Sequence, residues 1–446
     1  MVVILSTYEL GRPGFGPAMA AAWMRDAGIA ARLVDLSRGP MPPDLVPQAT
    51  LFAIHVPMHA ATRLAGPVLS RLRAERPDAP RVAFGLYAPL NAAWLRAHGA
   101  THILGVEAEQ ALAALAAGQP GGDGDARGPR IPRLAFPVPD RTSQLPLSSY
   151  ARLSIGGEHR LAGYTEASRG CLHTCTHCPI VPVYQGTLRV VPAEVVLADV
   201  AQQVEAGAQH ITFGDPDFLN GPTHARRVLH GLAAQHPEVT YDVTVKVEHL
   251  LAHADLLDLM AGTRCAFVTS AVEAFDDRVL LRLQKGHTAD DARRAIGMCR
   301  ARGLALVPTF VAFTPWTTVD MYLALLEEIE ALSLIDAVAP VQLALRLLLP
   351  AGSALLSDPD IGRVASAFDP QALAHPWVHD APAVDRLQGD VMAWLGEHGR
   401  HASRQAAFAA ARRLAADAAG RRPDVCTPGD VLVRATIPYL DEPWYC

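Results

Sequence analysis

Lysine is almost missing from this chain. Of 39 basic residues only Lys246 and Lys285 are lysines, so 37 are arginines. Against that background a surviving lysine suggests a need for a compact point charge rather than a planar fork. Acidic residues outnumber basic ones, and the formal net charge of -6 leaves no basic footprint, which counts against nucleic acid as the principal partner. Cysteine is sparse: seven in 446 residues is too few, and an odd number, for a disulfide framework. Long apolar runs are lacking too. The greasiest stretch, residues 338–349, is interrupted by Pro340, Gln342 and Arg346, so no membrane span is expected. The opening residues 1–5 carry no charged leader and no cleavage site, and read as a first strand, which points to the cytoplasm. No internal repeat is visible.

What is present suits a folded, multi-domain protein. Half the residues are apolar and 19% are charged, which excludes wholesale disorder, and the length allows several cores. Strand-like runs at 2–7, 31–36, 51–56, 81–86 and 101–104 alternate with helical patterns such as 15–27 and 61–74. That alternation predicts a doubly wound parallel sheet over residues 1–117. The Gly-rich turn at 8–16 does not match G-x-G-x-x-G, so it reads as an ordinary turn rather than a nucleotide cradle. Residues 118–150 form a polar Gly/Pro linker and an extended approach. Over 151–350 the alternation resumes, with strands expected near 161–168, 210–214, 241–247, 265–272, 304–313 and 339–345. Six strand–helix units fit a partial (β/α)6 barrel with functional loops at the C-terminal strand ends. Residues 351–446 are mostly helical, closing in an irregular tail.

Three cysteines crowd one short stretch: Cys171, Cys175 and Cys178, in Ser168-Arg169-Gly170-Cys171-Leu172-His173-Thr174-Cys175-Thr176-His177-Cys178-Pro179. C-x3-C-x2-C on a loop after a buried strand lets three thiolates wrap three corners of an iron–sulfur cube and leave the fourth iron open. A structural zinc site with His173 or His177 as fourth ligand is the bland reading. An electron-transfer cluster is another, but it needs a nearby fourth cysteine, and the next one is Cys265.

Over roughly residues 161–350 the sequence resembles the radical S-adenosylmethionine (SAM) enzymes. The resemblance implies that Cys171, Cys175 and Cys178 hold a [4Fe–4S] cluster whose open iron is chelated by SAM, with a flavodoxin- or ferredoxin-type protein supplying the electron. By the same resemblance His177 packs beside the adenine. Gly214, Asp215 and Pro216, with Asp217 after them, stand where the family has a turn facing the SAM amino group. Lys246 and Glu248 end the third strand. Ser270 and Glu273 end the fourth, before Lys285-Gly286, and resemble the stretch that approaches the SAM ribose and methionine. Lys246, Glu273 and Arg346 are the catalytic candidates. Arg346 is included because a lone charge in an apolar strand needs a carboxylate partner, from a substrate or from the protein itself.

The implied function is reductive SAM cleavage to modify a small molecule. An N-terminal doubly wound domain on such a barrel is similar to the cobalamin-binding subclass, so a cobalamin-dependent methyltransferase is one alternative. Asp-x-His-x-x-Gly is lacking, however, and His55 and His59 read as packing residues, so cobalamin is not favoured. A non-catalytic iron–sulfur or zinc protein is the other alternative. The closing residues 439–446 resemble radical SAM proteins with a Cys–selenocysteine or Cys–Cys tail followed by Ala-Glu-Pro. That resemblance implies a reading frame continuing beyond Cys446. It also implies transfer of the 3-amino-3-carboxypropyl group of SAM to a soft, thiol-held acceptor such as arsenic(III), with Cys426 and Cys446 as candidate thiols.

Overall fold

Strands buried on both faces read as continuous apolar runs, as β1 (Val2–Ser6), β3 (Leu51–His55) and β4 (Arg81–Phe84) largely do; β2 (Ala31–Asp35), partly exposed at one edge, and β5 (His102–Leu104) complete the five. In the computed structural model, which describes residues 1–399, 402–421 and 438–441, they pair in parallel in the order β2-β1-β3-β4-β5. This is the doubly wound topology, whose ligands sit at the C-terminal strand ends. Helices Phe15–Asp26 and His59–Glu75 bury their apolar stripes on the sheet. The Gly-rich turn is clamped to the rest of the protein: Gln144 Nε2 donates to the Gly14 carbonyl and Arg141 to that of Pro13. Arg141 also forks onto fully buried Asp199, joining the two units through one guanidinium.

The second sheet opens with an antiparallel hairpin, β6 (Arg152–Ile155) and β7 (Glu158–Thr165). A small two-stranded ribbon, β8 (Ser168–Gly170) against β9 (Leu188–Val190), follows. β10 (His210–Phe213), β11 (Thr240–Thr244), β12 (Cys265–Glu273) and β13 (Ala305–Phe310) then join β7 in parallel, in the order β13-β12-β11-β10-β7. β14 (Tyr439–Leu440) adds to the edge beside β6. The sheet curls into a half-barrel. Alternation along the strands divides its faces: Ile211, Val243, Val268 and Leu306 pack into the helical layer, whereas Thr212, Thr244, Thr269 and Thr309 line the lumen.

The sixth strand expected at 339–345 is reduced to a bridge. Residues Pro340–Leu343 form a 3-10 turn, because Pro340 has no N–H to give a ladder. What survives is the parallel pairing of Phe313 with Arg346, through Phe313 N to the Leu345 carbonyl at 2.9 Å and Leu347 N to the Phe313 carbonyl at 2.8 Å. Helices Pro382–His398 and Arg404–Ala418 pack on one another, and Arg404 and Tyr439 reach the lumen wall. Cys426 and Cys446 lie outside the described residues. No helix among the described residues is long and apolar enough to cross a membrane.

Candidate active site

The cysteine loop leaves β8 and returns at β9, so the ribbon holds its two ends together. Gly170 sits at φ +78°, and a Cβ there would lie 2.4 Å from the Thr187 carbonyl oxygen; only glycine permits the turn into Cys171. The far side of the loop is pinned to the segment after β12. Thr176 N donates to the Leu283 carbonyl at 3.1 Å, and its hydroxyl to that of Arg282 at 2.9 Å. Cys178 N donates to the Cys175 carbonyl, and Asn220 Nδ2 reaches Cys171 Sγ at 3.5 Å. Burial, with the neighbouring thiols, pushes Cys178 up to about 11, and burial likewise raises Cys171. Without a cation these groups stay thiols, and thiolate formation accompanies metal binding.

A β-bulge between Ala271 and Glu273 turns the end of β12, with Glu273 at φ +66°. Bulges re-aim side chains, and this one brings the Glu273 carboxylate to the cysteine loop. Its Oε1 accepts from His177 Nε2 at 3.1 Å and from Lys285 Nζ at 3.2 Å. Burial alone would raise its pKa, but Lys285 and His177 outweigh that and hold it at about 2. Burial opposes the Lys285 charge in the same way, and the Glu273 carboxylate raises its pKa nonetheless. The pair is therefore ionised.

The other expected residues divide. Lys246 Nζ meets Glu248 Oε2 at 2.5 Å at the end of β11, beside His173 of the cysteine loop. Gly214 is fitted to Tyr164, whose hydroxyl lies 1.8 Å from where a Cβ would stand. Pro216 lines the cleft between the two sheets. The Asp215 carboxylate is taken up by the protein itself: it accepts from Ser168 Oγ at 2.5 Å and from Ala167 N at 2.9 Å, stitching the β10 turn to the approach to the loop. Ser270 shares the helix-side face of β12 with Val268 and Val272, not the lumen face of Phe267 and Thr269, so alternation removes it from the cofactor set. Arg346 is also corrected. Its guanidinium bonds Asp385 at 2.6 Å and the Trp377 carbonyl, and stacks 3.5 Å over the Trp377 ring. Its carboxylate partner thus comes from the protein.

The buried side of the site carries polar atoms that make no hydrogen bond, among them His177 Nδ1, His173 Nε2 and Asp217 Oδ2. Buried polar atoms normally find partners, so this cradle fits a polar ligand beside the thiols. The pattern of the radical SAM superfamily matches residues 165–328. Residues 165–328 thus form a radical SAM domain. That superfamily implies a [4Fe–4S] cluster and SAM, and the three thiols and the buried polar atoms beside them suit both.

Among curated proteins, the enzyme is 26% identical over 177 residues to tRNA-2-methylthio-N(6)-dimethylallyladenosine synthase of Chlorobium limicola, covering 37% of this chain and 39% of that one. It is 28% identical over 178 residues to ribosomal protein uS12 methylthiotransferase RimO of Syntrophotalea carbinolica, covering 37% and 38%. The match thus spans well under half of these relatives. Among solved structures, the cobalamin-dependent radical enzyme OxsB, with aqua-cobalamin bound, superposes with a TM-score of 0.68 at 15% identity, covering 89% of this chain and 67% of that one. TsrM from Kitasatospora setae, a radical SAM methyltransferase with cobalamin and a [4Fe–4S] cluster bound, gives 0.60 at 17% identity, covering 74% and 73%. These likenesses establish the two-sheet fold.

Between the strand ends of the two sheets lies a cavity of about 240 Å³. The cleft is crossed by Arg169, which bonds Glu107, Glu109 and Glu166, and by His55 on Glu9 at 2.6 Å. His59 bonds the Ala372 carbonyl. These side chains are thus engaged with one another or with the backbone. Sequence reasoning missed the Arg169 cluster and His249, whose only signal was its place beside Glu248.

Proposed function

We propose that the enzyme cleaves SAM reductively and transfers a SAM-derived group to a small molecule, without a corrinoid. The observation that carries this reading is the cysteine loop locked against the ionised Glu273–Lys285 pair at the C-terminal ends of the half-barrel strands. Cys171, Cys175 and Cys178 would hold the cluster, which would supply the electron that breaks a carbon–sulfur bond of SAM. The protein's part is positional. Glu273, kept charged by Lys285 and His177, offers an acceptor to the hydroxyls or amino group of SAM, and Lys246 offers a cation to a carboxylate. The lining of the lumen, threonines with Asp242 and Gln342, suits a small polar substrate rather than a macromolecule. A flavodoxin- or ferredoxin-type protein is the electron source in this reading, and a soft acceptor such as arsenic(III), taking the 3-amino-3-carboxypropyl group, is its sharpest form.

Product analysis tests it. Anaerobically reconstituted enzyme with dithionite and SAM should release 5′-deoxyadenosine or methylthioadenosine, the second in response to arsenite if the aminocarboxypropyl reading holds. Expression with cobalamin should yield no corrinoid spectrum. Release of neither nucleoside, or a tightly bound corrinoid, overturns the corresponding part.

A further inference from the structure

Three side chains around the site aim donor atoms at one point. His173 comes from the cysteine loop, Asp217 from the turn after β10, and His249 from the first turn of the helix Val247–Ala252. Their ligand atoms all lie within 4.8 Å of one another. Asp217 is fully buried. Its Oδ1 accepts from Leu219 N at 3.3 Å and from Lys246 N at 3.4 Å, which fixes the carboxylate and turns Oδ2 inward with no hydrogen bond. His249 Nδ1 stands 2.7 Å from that oxygen and His173 Nε2 3.6 Å from it. Neither contact has hydrogen-bond geometry, and both nitrogens are buried without a partner.

Unpartnered buried polar atoms are costly and rare, and three converging ones are satisfied together by a cation. Nitrogen and oxygen ligands at about 2.0–2.2 Å from a first-row ion stand roughly 3–3.5 Å apart, which the two contacts bracket. We propose that His173 Nε2, His249 Nδ1 and Asp217 Oδ2 bind a divalent first-row transition ion beside the cysteine loop. Two imidazoles and a carboxylate, with no thiolate, suit zinc or ferrous iron. Three protein ligands leave coordination positions open, as in catalytic rather than structural sites, so the ion is placed to hold an oxygen- or nitrogen-donor group of the substrate. Glu248 Oε2 lies 3.6 Å from His173 Nδ1, with Lys246 Nζ on the same oxygen. A carboxylate behind a histidine ligand orients the ring and raises its basicity.

The test uses the full chain, reconstituted anaerobically to its iron–sulfur form and dialysed against micromolar Zn²⁺. We expect one zinc per chain in addition to the cluster iron, retained at saturating SAM. Asp217→Asn and His249→Gln should each lose that zinc at least tenfold while keeping the cluster iron and its visible absorbance, which also reports that the variants fold. X-ray absorption at the zinc edge of the unaltered protein should show nitrogen and oxygen neighbours at about 2.0–2.1 Å. Sulfur neighbours at about 2.3 Å, zinc displaced stoichiometrically by SAM, or zinc unchanged in both variants would each overturn the site. SAM cleavage by the unaltered protein, measured in parallel, separates failure of this site from failure of the radical SAM reading.

Discussion

Lys285 Nζ and Glu273 Oε1 are 3.2 Å apart in a place where neither side chain is more than 9% exposed. The bulge at the end of β12 delivers the carboxylate, the turn after the helix Asp277–Arg282 delivers the ammonium, and Cys175 and Cys178 lie within reach of the same positive charge. One of the two lysines in the chain is thus the cation that keeps a carboxylate charged beside the cysteine loop.

Removing one partner of a buried pair strands the other. Lys285→Met should destabilise the protein by about 3–5 kcal/mol, and adding Glu273→Gln should recover part of that loss. Urea unfolding of the apo protein under anaerobic conditions checks it. A double variant no more stable than Lys285→Met would count against the pairing. In the reconstituted enzyme Glu273→Gln should lower SAM cleavage at least tenfold.

Gly170 tests the loop. An alanine Cβ would press on the Thr187 carbonyl and the Tyr184 ring at a backbone angle that L-residues avoid. Gly170→Ala should cost about 1–3 kcal/mol and reduce iron loading, measured as iron per chain after reconstitution. Full iron content would show that the ribbon does not position the thiols.

The interdomain cleft predicts a pH slope. Glu107 is buried, which raises its pKa from the ordinary 4.5 despite Arg169, with Glu109 adding to the rise. A carboxyl whose pKa is higher folded than unfolded favours the fold while protonated, so its contribution is full below about 4.5 and is lost as pH rises through the raised value. The melting temperature of wild type relative to Glu107→Gln should therefore fall as pH rises from 5 to 8. A flat difference would remove the claim that burial dominates at Glu107.

How much of this was legible depends on how local each feature is. β1 and β3 could be read because strands buried on both faces leave unbroken apolar runs. The three cysteines could be read because one loop carries them all. The bulge that aims Glu273 could not, since nothing in the strand marks where the register shifts. The 338–349 run looked like a strand because its apolar side chains are buried, but Pro340 diverts it into a 3-10 turn whose burial comes from the C-terminal helices. Arg346 found its partner, Asp385, 39 residues along the chain, beyond any local pattern. His173, Asp217 and His249 meet only because strands β10 and β11 lie side by side under the cysteine loop.

The central claim is that Cys171, Cys175 and Cys178 carry a cluster that cleaves SAM. Iron and sulfide analysis with electron paramagnetic resonance of the dithionite-reduced protein, run beside nucleoside release from SAM, measures it most directly. Wild type should contain about four irons per chain, give the signal of a reduced [4Fe–4S] centre that shifts on adding SAM, and release a SAM-derived nucleoside. The triple alanine variant should do none of these. A wild-type protein without the cluster, or a triple variant that still turns SAM over, would contradict the account.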